Sequence, residues 1–270
     1  MYLSFYGLKK KPFNITSDPN FLFMSKRHKE AFSHLLYGIN ERKGFLEITG
    51  EIGTGKTTLC RALLNQLNGQ AKTSFILNPN LSELQLLQSI LEDFGLPIKR
   101  RTKVDLLRQL NKFLLEQEEQ GCNVILILDE AQNLTAKLLE QIRMLSNLET
   151  EREKLFQIIL VGQPELKQRL QSPKLTQLRQ RIAIRYHIMP LDRDEVGQYI
   201  YHRLKVAGSD GSIIFSNEAI DEIYKYSQGT PRLINVLCDK ALLFGFVQET
   251  KSIFADMVVR SIKEIDGIIE

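Results

Sequence analysis

The sequence predicts an α/β fold: a five-stranded parallel sheet sandwiched by helices, followed by an all-helical lid domain. Continuous apolar runs such as Val124-Ile125-Leu126-Ile127-Leu128 have the character of strands buried on both faces. These runs alternate with stretches in which apolar residues recur at helical spacing. Beyond Pro190 the strand-like runs stop and one helical pattern follows another. The expected division is an α/β domain with an N-terminal arm over 1–191 and a helical domain over 192–270.

Composition narrows the function. A chain of 270 residues can bury a large core, and a net charge of +4 falls short of the single-signed field of a dedicated nucleic-acid binder. Nucleic acid is therefore not indicated as a partner. Cys60, Cys122 and Cys238 are odd in number and far apart, which excludes a disulfide framework and a zinc spacing. His28, His34, His187 and His202 lack paired metal-ligand spacing. With no run of 18 apolar residues, the chain is expected to be cytoplasmic.

Residues 1–25 interleave Phe5, Tyr6 and Phe13 with Gly7, Pro12, Asn14, Ser17, Asp18 and Pro19. That many aromatic residues predict an ordered arm packed on a domain, not a disordered tail. A helix follows from about Lys26 to Glu41, with Ala31, Leu35, Leu36 and Ile39 on its inner face. Phe45 to Thr49 is a buried strand, and Thr58 to Leu67 is a helix with Leu59, Leu63 and Leu67 in phase.

Between that strand and helix stand Gly50, Glu51, Ile52, Gly53, Thr54, Gly55, Lys56 and Thr57. This G-x(4)-G-K-[ST] pattern in a strand–loop–helix context is a phosphate-binding loop. Its glycines let successive N–H groups turn inward around a phosphate, and the helix starting near Lys56 adds its positive dipole end. Lys56 is expected on the β- and γ-phosphates and the Thr57 hydroxyl on Mg²⁺.

Thr73 to Leu77 reads as the second strand, and Glu83 to Phe94 as a helix stopped by Gly95-Leu96-Pro97. Lys99, Arg100, Arg101 and Lys103 read as a solvated loop, since no aromatic residue is interleaved. Val104 to Glu119 is a further amphipathic helix closed by Gly121. Asp129 and Glu130 follow the apolar strand 124–128, at the sheet edge where ligands sit in open α/β folds. Asp129 is then expected to hold Mg²⁺ through its water shell, and Glu130 to orient and polarise the attacking water. The plainer alternative is an acidic pair at a helix N-terminus.

Phe156 to Val161 is another buried strand, ending in Gly162-Gln163-Pro164. Gln163 either contacts the γ-phosphate or the attacking water, or is a polar turn residue. Leu175 to Ile182 is a helix carrying Arg179 and Arg181, before a strand from Ala183 to Ile188. Those arginines either solvate the surface or reach a neighbour's γ-phosphate. Helices then run over 193–206, 216–227, 231–248 and 255–268. In Gly229-Thr230-Pro231-Arg232, Gly229 ends one helix, Thr230 can cap the next and Pro231 takes its first position. Arg232 is left in the first turn, where a cation is disfavoured, so a nucleotide phosphate is expected to face it.

Together these residues resemble the AAA+ ATPases, a class of P-loop NTPase, with GEIGTGKTT from Gly50 to Thr58 as Walker A and VILILDE at 124–130 as Walker B. Gln163 corresponds to sensor 1 and GTPR at 229–232 to sensor 2. Within that class the stretch FYGLKKKPFNITSDPNFLFMSKRHKEAFSHLLYGI at 5–39, DEAQNL at 129–134, ILVGQPEL at 159–166 and LRQRIAIRYHIMPL at 178–191 are similar to the general secretion pathway protein A family, also called ExeA.

The resemblance implies an ATP- and Mg²⁺-dependent cytoplasmic ATPase that helps build an envelope-spanning type II secretion or pilus machine, tethered through a membrane helix to a cell-wall-binding portion. The sequence ends at Glu270 with no membrane segment, so it reads as the cytoplasmic domain of an inner-membrane protein or as a short relative. In such ATPases the arginine before the last strand acts in trans, which maps to Arg181 first and Arg179 second. That implies a homo-oligomer, a hexameric ring being one arrangement that fits, together with a membrane-anchored secretion partner. Family precedent also puts Phe13 and Asn14 near the adenine. ATP would join the two predicted domains through Arg232, and loss of the γ-phosphate would let the lid rotate. Two rival functions share these motifs: a DNA-associated ATPase such as a transposition helper or clamp-loader-like module, and an ATP-gated scaffold with negligible turnover.

Overall fold

A computed structural model describes residues 2–77, 79, 81–148 and 154–267. Along the chain the elements are α1 (Tyr2–Phe5), α2 (Lys26–Asn40), β1 (Phe45–Gly50), α3 (Lys56–Leu67), β2 (Ala71–Ile76), α4 (Glu83–Asp93) and α5 (Lys103–Glu119). Then come β3 (Asn123–Leu128), α6 (Ala136–Leu145), β4 (Gln157–Gly162), α7 (Pro164–Leu170), α8 (Thr176–Arg181) and β5 (Ile182–Ile188). The rest comprises α9 (Arg193–Val206), β6 (Ile214–Phe215), α10 (Asn217–Ser227), α11 (Pro231–Val247), β7 (Ser252–Ile253) and α12 (Ala255–Ile265). Of the helix expected over 255–268, Ile268 lies outside the described residues.

The chain forms two units, one of residues 29–51 and 59–188, the other of residues 1–28, 52–58 and 189–270. The first holds a five-stranded sheet in the order β2-β3-β4-β1-β5, parallel throughout. β1 and β4 are buried along their whole length, and β3 along all but its first residue. Strands covered on both faces must be apolar throughout, which is why Ile158, Ile159, Leu160 and Val161 run without alternation. Edge strand β5 alternates instead, with Arg185 and His187 exposed. Its neighbour β1 carries one buried acid: Glu47 is opposite Arg185 in the register and accepts a hydrogen bond from its Nε at 3.2 Å.

Local caps fix where the helices start. Ser82 and Gln85 form a reciprocal capping box at α4, Thr102 caps α5 and Thr135 caps α6. α6 has no counterpart among the elements expected from sequence. It buries Leu138, Leu139, Ile142 and Leu145 in the same core as β3 and β4.

The second unit has its own core, built from α9, α10, α11 and α12. It includes Tyr6, Leu8, Phe13 and Phe21 of the N-terminal arm. The division at 191 groups this arm with the α/β domain, whereas its buried aromatic residues belong to the helical core. The Arg203 side chain of α9 explains the attachment: Nε donates to the Pro12 carbonyl at 2.5 Å and Nη2 to the Asn14 carbonyl at 2.9 Å. Its guanidinium also stacks on Phe21, 4.8 Å from the ring centre. The helical region further contains the two-residue parallel pair β6 and β7, too short to be read from alternation.

The Leu160 side chain is fully buried in the central strand β4. Leu160→Ala should cost about 2–5 kcal/mol in a urea-unfolding measurement, the range for a core leucine that leaves a cavity. A loss below about 1 kcal/mol would mean that the strand is not packed on both faces.

Candidate functional site

Parallel β1, β3 and β4 end on one edge of the sheet, so Gly50, Asp129 and Gln163 leave their strands together. Asp129 is 1% exposed, and its Oδ1 accepts from the Glu130 N–H at 2.9 Å. Its own N–H donates to the Ile76 carbonyl, prolonging the β2–β3 ladder by one residue. The chain then turns at Glu130, whose φ of 53° and ψ of 36° lie in the left-handed region. A residue with a side chain adopts that conformation at a cost, so surrounding contacts must hold it there.

Two amides supply those contacts. The Nε2 groups of Gln132 and Gln163 donate to the same Glu130 oxygen, Oε2, at 2.5 and 3.1 Å. Gln132 also accepts from the Gln163 backbone N–H through its Oε1, at 3.1 Å. Gln132 thereby spans from the acid to the end of β4. Gly162 leaves room for it, since a Cβ there would sit 2.8 Å from Gln132 Oε1 and push the amide aside. Gln163, Asp129 and Glu130 come together as the sequence predicts. Gln132, only 8% exposed, is the residue that sequence reasoning misses. Its place in DEAQNL holds the only signal, and motif spacing alone does not distinguish it from a solvated turn residue.

The phosphate loop from Ile52 to Thr58 belongs to the helical unit. Gly53 and Gly55 take φ values of 81° and 96°, which flank Thr54 with left-handed backbone. Such alternation turns neighbouring N–H groups to one side and makes an anion-binding concavity. Lys56 and Thr54 are buried, while Glu51 and Ile52 are exposed. At the start of α11, Pro231 is buried at the first helical position, and the Arg232 N–H donates to the Gly53 carbonyl at 3.3 Å. Thr230 holds the cap position without a side-chain capping bond, a departure from the sequence expectation. Gly229 is unavoidable, since a Cβ there would lie 1.8 Å from the Leu191 carbonyl oxygen. The Arg232 side chain is exposed.

The remaining candidates fall elsewhere. Phe13 is 2% exposed and packs edge-on against Phe215, so its ring is enclosed by apolar core instead of being open to an adenine. Asn14 is exposed, and its carbonyl is held by Arg203. Arg179 is exposed; Arg181 donates from Nη1 to Ser146 Oγ at 2.8 Å. Among the described residues no group of three His, Cys, Asp or Glu could hold a metal ion, and no helix is long and apolar enough to cross a membrane. The oxygen donors expected for Mg²⁺, the Thr57 hydroxyl and the Asp129 carboxylate, belong one to each unit, and each is of the hard-oxygen kind. That chemistry fits an ion which keeps much of its water and shares the phosphates of its nucleotide.

The model of the AAA domain family matches residues 39–170. Over 269 residues, 99% of this chain, the sequence is 44% identical to General secretion pathway protein A of Aeromonas hydrophila, of which it covers 49%. It is 26% identical over 193 residues to a Replication factor C small subunit of Aeropyrum pernix, covering 71% of this chain and 50% of that one. The chain thus spans about half the length of the curated relatives it matches. Among solved structures, the ORC2 protein of Aeropyrum pernix superposes with a TM-score of 0.72, covering 95% of this chain and 71% of that one at 17% identity. The Thermotoga maritima RuvB Holliday junction branch migration motor superposes with a TM-score of 0.59, covering 89% and 69% at 18% identity. At such identities the likeness is one of fold.

Replacing Gln132 by Leu removes both of its bonds and leaves the Gln163 N–H without its acceptor. Gln132→Leu should therefore destabilise the protein by about 1–3 kcal/mol in chemical denaturation. An unchanged unfolding midpoint would mean that the amide does not hold the turn.

Proposed function

We propose that this chain, which belongs to the general secretion pathway protein A family and carries its AAA domain, is an ATPase that serves assembly of an envelope-spanning secretion machine. The observation that carries the catalytic part is the Asp129–Glu130–Gln132–Gln163 cluster at the carboxyl edge of the sheet. A buried acid followed by an amide-held acid separates two tasks, ion holding and water activation, between neighbouring side chains.

In this mechanism the water oxygen attacks the γ-phosphorus in line, the bond to the β-phosphate oxygen breaks, and ADP leaves. Glu130 orients the water and accepts its proton, which passes on to the released phosphate. Lys56 and the loop N–H groups stabilise the charge spreading over the phosphate oxygens. The Thr57 hydroxyl and the Asp129 carboxylate would hold Mg²⁺, which would supply further charge neutralisation. Gln163 bonds either to the γ-phosphate or to the water. Arg181 acts from a neighbouring copy, with Arg179 second in line, so the working form is a homo-oligomer. The site lies on the cytoplasmic side, and the partner is a membrane-anchored component of the machine. The 44% identity over nearly the whole chain favours this role over the DNA-associated one, whose support is 26% identity.

Glu130→Gln keeps the size of the side chain but cannot accept the proton. It should bind ATP with near wild-type affinity while turnover falls by about 10²–10⁴. Equal turnover in the two proteins would remove Glu130 from its role, and negligible wild-type turnover with intact binding would favour the ATP-gated scaffold. An arginine supplied in trans is worth about 10³–10⁵ in rate, so activity per subunit should rise with protein concentration and collapse in Arg181→Ala. A flat dependence from a strictly monomeric active species would exclude the trans role.

A further inference from the structure

We propose that His28 is a positioning residue for the phosphate loop, fixing the peptide between Thr54 and Gly55 so that the Gly55 N–H faces the bound phosphate. This rests on the nucleotide-binding function given above. His28 is 3% exposed, and its Nε2 lies 3.0 Å from the Thr54 carbonyl oxygen. A carbonyl oxygen only accepts, so Nε2 carries the hydrogen. Nδ1 is then bare and accepts from the Ser25 hydroxyl at 2.7 Å, while Ser25 Oγ accepts from the His28 backbone N–H at 3.3 Å. Ser25 therefore sets the tautomer that the loop needs.

Peptide geometry carries the effect to the ligand. In a trans peptide the carbonyl of one residue and the N–H of the next point in opposite directions. The Thr54 carbonyl is bonded to His28 and the Gly53 carbonyl to the Arg232 N–H. Both carbonyls are thus held outside the loop, and the N–H groups of Thr54 and Gly55 turn to the other side. Glycine at 55 would tolerate a flip of the Thr54–Gly55 peptide, so the His28 bond decides which way that amide points. Gly55 abuts the ring, since a Cβ there would lie 3.1 Å from His28 Nε2. Burial lowers the pKa of the imidazole, against smaller opposing effects from the Thr54 carbonyl and Glu195, and so favours the neutral ring that this arrangement uses.

The role can be separated from plain packing with two variants. A glutamine amide can reach the Nε2 position and still donate to the Thr54 carbonyl, whereas leucine fills the space without donating. His28→Leu should weaken Mg·ATP binding by about tenfold in calorimetry and lower turnover at saturating ATP as well, since the same N–H group serves both. His28→Gln should recover most of the affinity. Nuclear magnetic resonance of the nucleotide-free wild type should show the Nε2–H tautomer at His28, a measurement that does not depend on either variant folding. Wild-type affinity in His28→Leu, no recovery in His28→Gln, or the Nδ1–H tautomer would each overturn the proposal. Absence of nucleotide binding by the wild type itself would instead bring down the function on which it rests.

Discussion

Three adjacent strands buried on both faces constrain everything else in the α/β unit. Their side chains are buried almost throughout, and their backbones are tied into parallel ladders. Polar chemistry is thereby confined to the positions where strands end. Buried polar side chains within these strands need partners: Glu47 takes Arg185 across the edge, Thr49 bonds with His187, and Gln157 reaches with its amide to the Ile39 carbonyl. The sheet does not bind anything itself. It delivers Asp129, Glu130 and Gln163 to a common edge and excludes competing polar groups from behind them.

Two different solutions hold backbone in left-handed conformation. In the loop, glycine makes the conformation free of steric cost, and bonds to carbonyl oxygens choose between its alternatives. At Glu130 a charged residue must occupy it, and side-chain amides from two later positions hold the carboxylate in place. The first arrangement organises amides, the second a single acid. Both fix geometry before any ligand arrives, which lowers the reorganisation needed at binding.

Much of this was legible from residues alone. Strand identity followed from unbroken apolar runs, and the phosphate loop from glycine spacing between a strand and a helix. Helix α6, absent from the sequence expectations, is equally legible, with Thr135 as cap and Leu138, Leu139, Ile142 and Leu145 on one face. Gln132 and His28 were beyond reach for a physical reason. Each acts through a group distant in sequence, Gln163 for one and Thr54 for the other, so no local pattern encodes the pairing. The order of the arm is legible in its aromatic residues, but its host depends on Arg203, about 190 residues later, whose bonds to backbone carbonyls leave no mark in the local sequence.

That long-range attachment has a bearing on how the helical unit can be cut or joined. Arg203 is a buried cation whose partners are two main-chain oxygens, a tyrosine hydroxyl and an aromatic face. Deleting the first twenty or so residues as a dispensable leader would remove both carbonyl oxygens and leave that guanidinium with only the Tyr199 hydroxyl and the aromatic face. Chimeras that transplant α9 through α12 onto another α/β unit must therefore carry the opening segment with them, even though about 190 residues separate the pieces.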